Sequence, residues 1–174
     1  MPSSNQRGSA HNSPAGLWIR AAGLTILQQM SEEATRVLVV AHRSSPSAAL
    51  MLTVRERALQ GPAEFILLVP GGPSSVVEVD GPEDVDDAGT RMLLRMALPA
   101  LRSAARGQVS ILVGGHDPVA AVSDAVNFHE IDEVIVSSPS PRAMRWLKVD
   151  LAHRLKHLGL PVTNVEGPSV AAPS

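Results

Sequence analysis

The sequence predicts an α/β fold, a doubly wound open parallel five-stranded sheet with helices on both faces, and three observations carry that expectation. Five short runs of Val, Leu and Ile are apolar without polar alternation, as strands buried on both faces require. The intervals between them hold apolar residues at helical spacing, which suits helices that return the chain across a sheet face. At residues 109–118 an apolar run ends in Gly114-Gly115 and a helix opens at Asp117-Pro118, with Asp fitted to cap the helix and Pro to its first position. Right-handed crossovers put helices on both faces, and the expected strand order is 3-2-1-4-5.

The elements follow in order. Residues 36–41 form the first strand, and Met51, Val54 and Ala58 give the next interval one apolar helical face. Residues 65–69 form the second strand. Residues 76–87 (VVEVDGPEDVDD) read as a loop carrying six carboxylates, with Glu83, Asp84 and Asp86 favoured by the dipole of the helix that follows. Calcium is the sharper reading of that loop, but the twelve-residue EF-hand spacing is absent. Leu94, Leu98, Leu101 and Ala105 mark the second helix, and Pro99 within it is expected to kink or divide it. Residues 109–113 form the third strand, and Val119, Val122 and Val126 the face of the next helix. Residues 134–136 lie in the fourth strand. Met144, Leu147, Leu151, Leu155 and Leu158 make a stripe over four turns, and residues 161–165, from Pro161 to Val165, close the sheet. The folded domain is thus expected over 35–166, with 1–34 outside the core and 167–174 a flexible tail.

Composition narrows the function classes. The chain has 174 residues and a formal net charge of −2, enough for one domain with a single core. Two Phe, two Trp and no Tyr disfavour modules that stack nucleic-acid bases on aromatics. The absence of cysteine removes disulfides, thiolate catalysis and zinc-thiolate sites and suits a cytoplasmic location. No apolar run approaches the ~20 residues that span a bilayer. Thirteen Arg against two Lys, with abundant Ala, Val and Pro, is the composition of a GC-rich bacterial genome. Residues 1–31 lack acidic residues; their apolar part, 17–27, is short and interrupted by Arg20, so a targeting peptide is the weaker reading. Residues 1–16 read as disordered, and Met30-Ser31-Glu32-Glu33 looks like a natural start.

Ligands of open α/β sheets bind beyond the carboxyl ends of the strands, where the strand order reverses. For the order 3-2-1-4-5 that point lies between the first and fourth strands. Two loops meet there, Ala41-His42-Arg43-Ser44-Ser45 and Ser137-Ser138-Pro139-Ser140-Pro141-Arg142. Hydroxyl donors, an arginine and a helix N-terminus together suit a phosphate-type anion. The candidate ligand-binding residues are His42, Arg43, Ser44, Gly115, Ser137, Ser138, Ser140 and Arg142. The third loop, Gly114-Gly115-His116-Asp117, is expected beside the end of the second strand, Val69-Pro70-Gly71-Gly72.

Weaker constellations have plainer explanations. His153 and His157 fall at i, i+4 but lack a third metal ligand. Residues 142–157 hold five Arg or Lys against one Asp, a stretch that suits RNA or an acidic partner, although the overall charge favours helix-end decoration. His42 with Ser44 or Ser45 and Asp117 or Asp132 can be drawn as a triad, without a G-x-S-x-G elbow to support it. Trp146 reads as a helix anchor or a dimer contact.

Gly115-His116-Asp117-Pro118 resembles the "GDP" junction of the universal stress protein family, and Leu160-Pro161-Val162-Thr163-Asn164-Val165 resembles its closing "CPV" strand. The similarity spans residues 35–166 and is nearest to a divergent bacterial subgroup of that adenine-nucleotide alpha-hydrolase-like fold. Nucleotide-binding members carry an aspartate at the end of the first strand and a G-x2-G-x9-G-[S/T] loop whose backbone wraps the phosphates. Here His42 and its neighbours stand in place of the aspartate, and residues 137–145 contain no glycine. Pro139 and Pro141 remove two amide donors, and side chains occupy the space where bare backbone would approach phosphate.

The resemblance therefore implies a non-enzymatic, cytoplasmic stress-response or regulatory module whose nucleotide or anion binding is atypical or lost. No cofactor follows with certainty; ATP, AMP or a phosphate-type anion is the class to test. Ser138, Ser140 and Arg142 would hold such an anion by side chains. Two other readings stand beside it: a homodimeric interaction module pairing through residues 161–165, and a hydrolase or transferase on the same scaffold. No membrane and no nucleic-acid partner is expected, and no protein partner is identified.

Overall fold

The computed structural model of the chain describes residues 34–41, 47–138 and 159–166. They form six strands and three helices: β1 (Thr35–Ala41), α1 (Ala48–Leu59), β2 (Ala63–Pro70), β3 (Val77–Val79), α2 (Ala88–Ala105), β4 (Val109–Gly114), α3 (Pro118–Phe128), β5 (Glu133–Ser138) and β6 (Val162–Glu166), with a 3-10 turn at Pro82–Asp84.

The architecture is α/β, but the sheet is mixed and six-stranded rather than the five-stranded parallel one expected. Its order is β3-β4-β2-β1-β5-β6. The added strand is β3, which pairs antiparallel to β4 with Val77 opposite Val113 and Val79 opposite Ile111. It lies in the segment that the sequence presented as an acidic loop. Val77 and Val79 alternate with Glu78, a period-two pattern too short to stand out from its Ser and Asp-Gly surroundings. The other strand pairs are parallel: β1 with β2, β1 with β5, β2 with β4 and β5 with β6.

Unbroken apolar strands are buried on both sides because successive side chains point to opposite faces. Val37 and Val39 join Phe65, Leu67, Ile111 and Ile135 in one core, closed by Leu50 and Val54 of α1 and Leu94, Leu98 and Leu101 of α2. Leu38 and Val40 join Leu68, Leu112, Val134 and Val136 in the other, closed by Val119, Val122 and Ala125 of α3. The helical stripes read from the sequence for these three helices thus meet the sheet. The last stripe, from Met144 to Leu158, lies outside the described residues.

Pro99 does not divide α2, which runs unbroken for 18 residues. Pro99 is exposed, so the Arg95 carbonyl that it leaves without an i+4 donor can be satisfied by water. Charged pairs fasten the amino edge of the sheet. Arg57 Nε donates to Glu133 Oε2 at 2.6 Å, tying α1 to the start of β5. The Arg36 amide donates to Asp132 Oδ2 at 2.8 Å. No helix among the described residues is long and apolar enough to cross a membrane.

Truncating the centre of the α2 face tests this packing. Leu94, fully buried, should cost about 3 kcal/mol on change to Ala, whereas Met92→Ala on the exposed side of the same helix should stay within about 0.5 kcal/mol. Urea unfolding of both variants measures the difference, and equal losses would contradict the assigned helix face.

Candidate functional site

Each parallel strand must be followed by a return, so three helices begin at the carboxyl edge of the sheet. Each is capped by its own chain. Ser47 Oγ accepts from the Leu50 amide at 3.1 Å, Asp87 Oδ2 from the Thr90 amide at 2.7 Å, and Asp117 Oδ1 from the Val119 and Ala120 amides at 2.9 and 3.4 Å. Asp117-Pro118 therefore acts as the cap and first residue read from the sequence. The positive ends of the three helix dipoles gather on this edge.

The strand order reverses between β1 and β5. From β1 the chain moves outward to β2 and β4; after α3 it returns to the other side of β1 as β5. Ala41 pairs in register with Ser137, so β1 and β5 end side by side. Ser137 is half-buried and also opposite Val165. Ser138 is the last residue of β5 and pairs with Glu166. His42, Arg43, Ser44, Ser140 and Arg142 lie outside the described residues, as do His153, His157 and Trp146.

Gly115 is elsewhere on the same edge. It follows β4, with β2 and β1 between it and β5, a lateral separation of about 14 Å at ordinary strand spacing. It packs against the backbone of Pro73 and Ser74. Of the predicted binding residues that are described, Ser137 and Ser138 thus lie at one place on this edge and Gly115 at another. The expected neighbourhood of the third loop and the end of the second strand is present: the Gly71 and Gly72 amides both donate to the Gly114 carbonyl, at 2.9 and 2.7 Å.

That junction explains its glycines. Gly71 has φ +137°, a region that residues with a Cβ rarely adopt. A Cβ on Gly72 would collide with Val113 Cγ1, and one on Gly114 would lie 2.8 Å from the Ala121 Cβ of α3. Gly114 thus lets α3 approach the end of β4, which is a packing role.

Beside the junction is a cleft of about 460 Å³ between the 71–73 turn, β3 and the segment 84–87, with Val113 and His116 on its wall. Its parts are far apart in sequence and are joined by the unforeseen β3–β4 pairing; the Val-x-Val at 77–79 was the available signal. A smaller hollow of about 280 Å³ lies by Val69, Pro70, Gly89 and Thr90. Another hollow, of about 560 Å³, is at the amino end of the strands, where Arg36 pairs with Glu64 and Glu130 at 3.4 and 2.9 Å.

The acidic segment is engaged locally. Glu83 accepts from Arg95 Nη2 at 2.7 Å, Asp84 from the Gly81 amide at 3.1 Å, and Asp87 caps α2. Among the described residues no three His, Asp or Glu side chains converge as metal ligands. The sketched triad loses both its acids: Asp117 caps α3, and Asp132 bonds Arg36 at the amino edge, about 20 Å along β5 from its carboxyl end.

The glycine junction makes a coupled prediction. Gly72→Ala should destabilise the fold by about 1–3 kcal/mol through the forced shift of Val113, and adding Val113→Ala should make the double variant less unstable than the sum of the single ones. Strict additivity in urea unfolding would show that the two side chains do not compete for that space.

No protein-family model matches the chain, and no curated protein matches it.

Proposed function

We propose that the chain is a non-enzymatic regulatory module, similar to the universal stress proteins, that holds a phosphate-type anion by side chains where the strand order reverses. The observation that carries this reading is the direct pairing of Ala41 with Ser137. It brings the starts of the His42-Arg43-Ser44 and Pro139-Ser140-Pro141-Arg142 segments to neighbouring strand ends, on the edge where helix dipoles favour negative charge. Two arginines and several hydroxyls supply charge-assisted and neutral donors without a glycine loop. ATP, AMP and phosphate share the anion that such a set would recognise.

Unfolding of the full chain in the presence of ATP, AMP, cyclic AMP or phosphate tests the reading. A ligand held at ~100 times its Kd adds about 2.7 kcal/mol to the unfolding free energy, and Arg142→Ala should remove most of that gain without changing the ligand-free midpoint. Absence of stabilisation by all four would sink it.

The position of β6 supports a second element, a homodimer. Among the described residues no strand pairs with the outer side of β6. The Val134 amide donates to the Pro161 carbonyl, so Thr163 and Val165 also direct their backbone groups toward β5, and Val162 and Asn164 direct theirs outward. Exposed Asn164 offers a donor for antiparallel pairing with a second copy. Asn164→Pro removes that donor while sparing the β5 ladder and should yield monomers by size-exclusion chromatography. A dimer that survives the substitution would overturn pairing through β6.

A further inference from the structure

The segment between β2 and α2 is attached to the domain less firmly than the elements on either side of it. From Gly72 to Asp84 no residue is buried. Val76 and Val79 are only partly covered, and the first buried side chain beyond them is Val85, 5 % exposed. We propose that residues 72–84 form a cover that opens while the rest of the sheet stays folded, and that Arg91 is the latch that holds it shut. A segment that gives up little apolar burial opens at a free energy below that of global unfolding.

What the cover hides is the backbone of β4. The Gly114 carbonyl accepts from the Gly71 amide, so Gly114 turns its backbone groups toward β2. Successive residues of a strand turn theirs to opposite sides. Leu112 therefore bonds β2 as well, whereas Ile111 and Val113 bond β3. Their partners are Val79 and Val77, and these two pairs carry the β3–β4 ladder. The latch is at the far end of the segment. Arg91 Nε and Nη2 donate to the Val85 carbonyl at 2.9 and 2.7 Å, and Nη2 donates to the Asp86 carbonyl at 3.2 Å. These charge-assisted bonds fix the chain where it leaves the cover and approaches α2. Arg95 ties Glu83 at 2.7 Å, but through two exposed side chains, where an ion pair holds little. Opening leaves the Ile111 and Val113 amides and carbonyls without partners, which makes β4 a free strand edge.

Amide hydrogen exchange of the full chain, followed by NMR, separates this motion from unfolding, because neighbouring residues of β4 report different events. Ile111 and Val113 should show protection factors at least about ten-fold below that of Leu112, with a weaker dependence on urea. Arg91→Ala should lower the protection of Ile111 and Val113 about a further ten-fold relative to Leu112. Arg95→Ala should alter that ratio less than about two-fold. Taking the ratio within one strand removes any general loss of stability in a variant. The proposal is overturned if the three amides exchange together in the unsubstituted chain, if Arg91→Ala lowers all three alike, or if Arg95→Ala shifts the ratio as much as Arg91→Ala.

Discussion

The structure depends on the burial of β1 on both of its faces. Val37 and Val39 point to one side and Leu38 and Val40 to the other, and all four are excluded from solvent. A strand of this kind cannot be satisfied by a single layer of helices. Because parallel crossovers turn right-handed, helices that build outward from β1 through β2 to β4 fall on one face. The opposite face is covered when the chain crosses back to the other side of β1. The reversal of strand order, and with it the meeting of the strand ends at Ala41 and Ser137, follows from the need to cover one apolar strand twice.

At the carboxyl edge, packing alone accounts for several residues that the sequence singled out. Gly114 offers one carbonyl to two amides, joins the ends of β2 and β4, and admits Ala121 of α3. These demands account for Gly114, the first of a glycine pair that, in sequence, could equally announce a ligand. The caps Ser47, Asp87 and Asp117 likewise satisfy helix ends with the chain's own oxygens.

The fold was legible where a pattern ran long enough to report its surroundings. The unalternating runs of β1, β2 and β4 announced burial on both faces, and the Leu94-Leu98-Leu101 spacing announced the buried face of α2. Three-residue β3 carries one alternation, less than its flanking acids contribute, and was obscured by them. Division of α2 at Pro99 was expected because sequence shows the missing amide but not that Pro99 lies on the exposed side of the helix. The site was less legible for a different reason. Hydroxyls and arginines in Pro-rich segments obey no periodicity, so residue types were visible but their partners were not, and Gly115 was grouped with residues three strands away. The cleft on β3 depends on Val77 meeting Val113, a pairing that no local pattern states.

The two margins of the sheet are chemically unlike. β3 is three residues long and is followed closely by Asp80, with Glu78 at its centre, whereas β6 presents Thr163 and Asn164. Short length and acidic charge discourage strand addition at the first margin, whereas the second is longer and carries its single acid, Glu166, only at its end. In a pair joined through β6, as proposed above, the margins left facing outward would be the two acidic β3 strands. Glu78 and the brevity of β3 would then act as a terminator, since a strand margin that resists addition closes the series at two copies and leaves no template for open-ended fibrils.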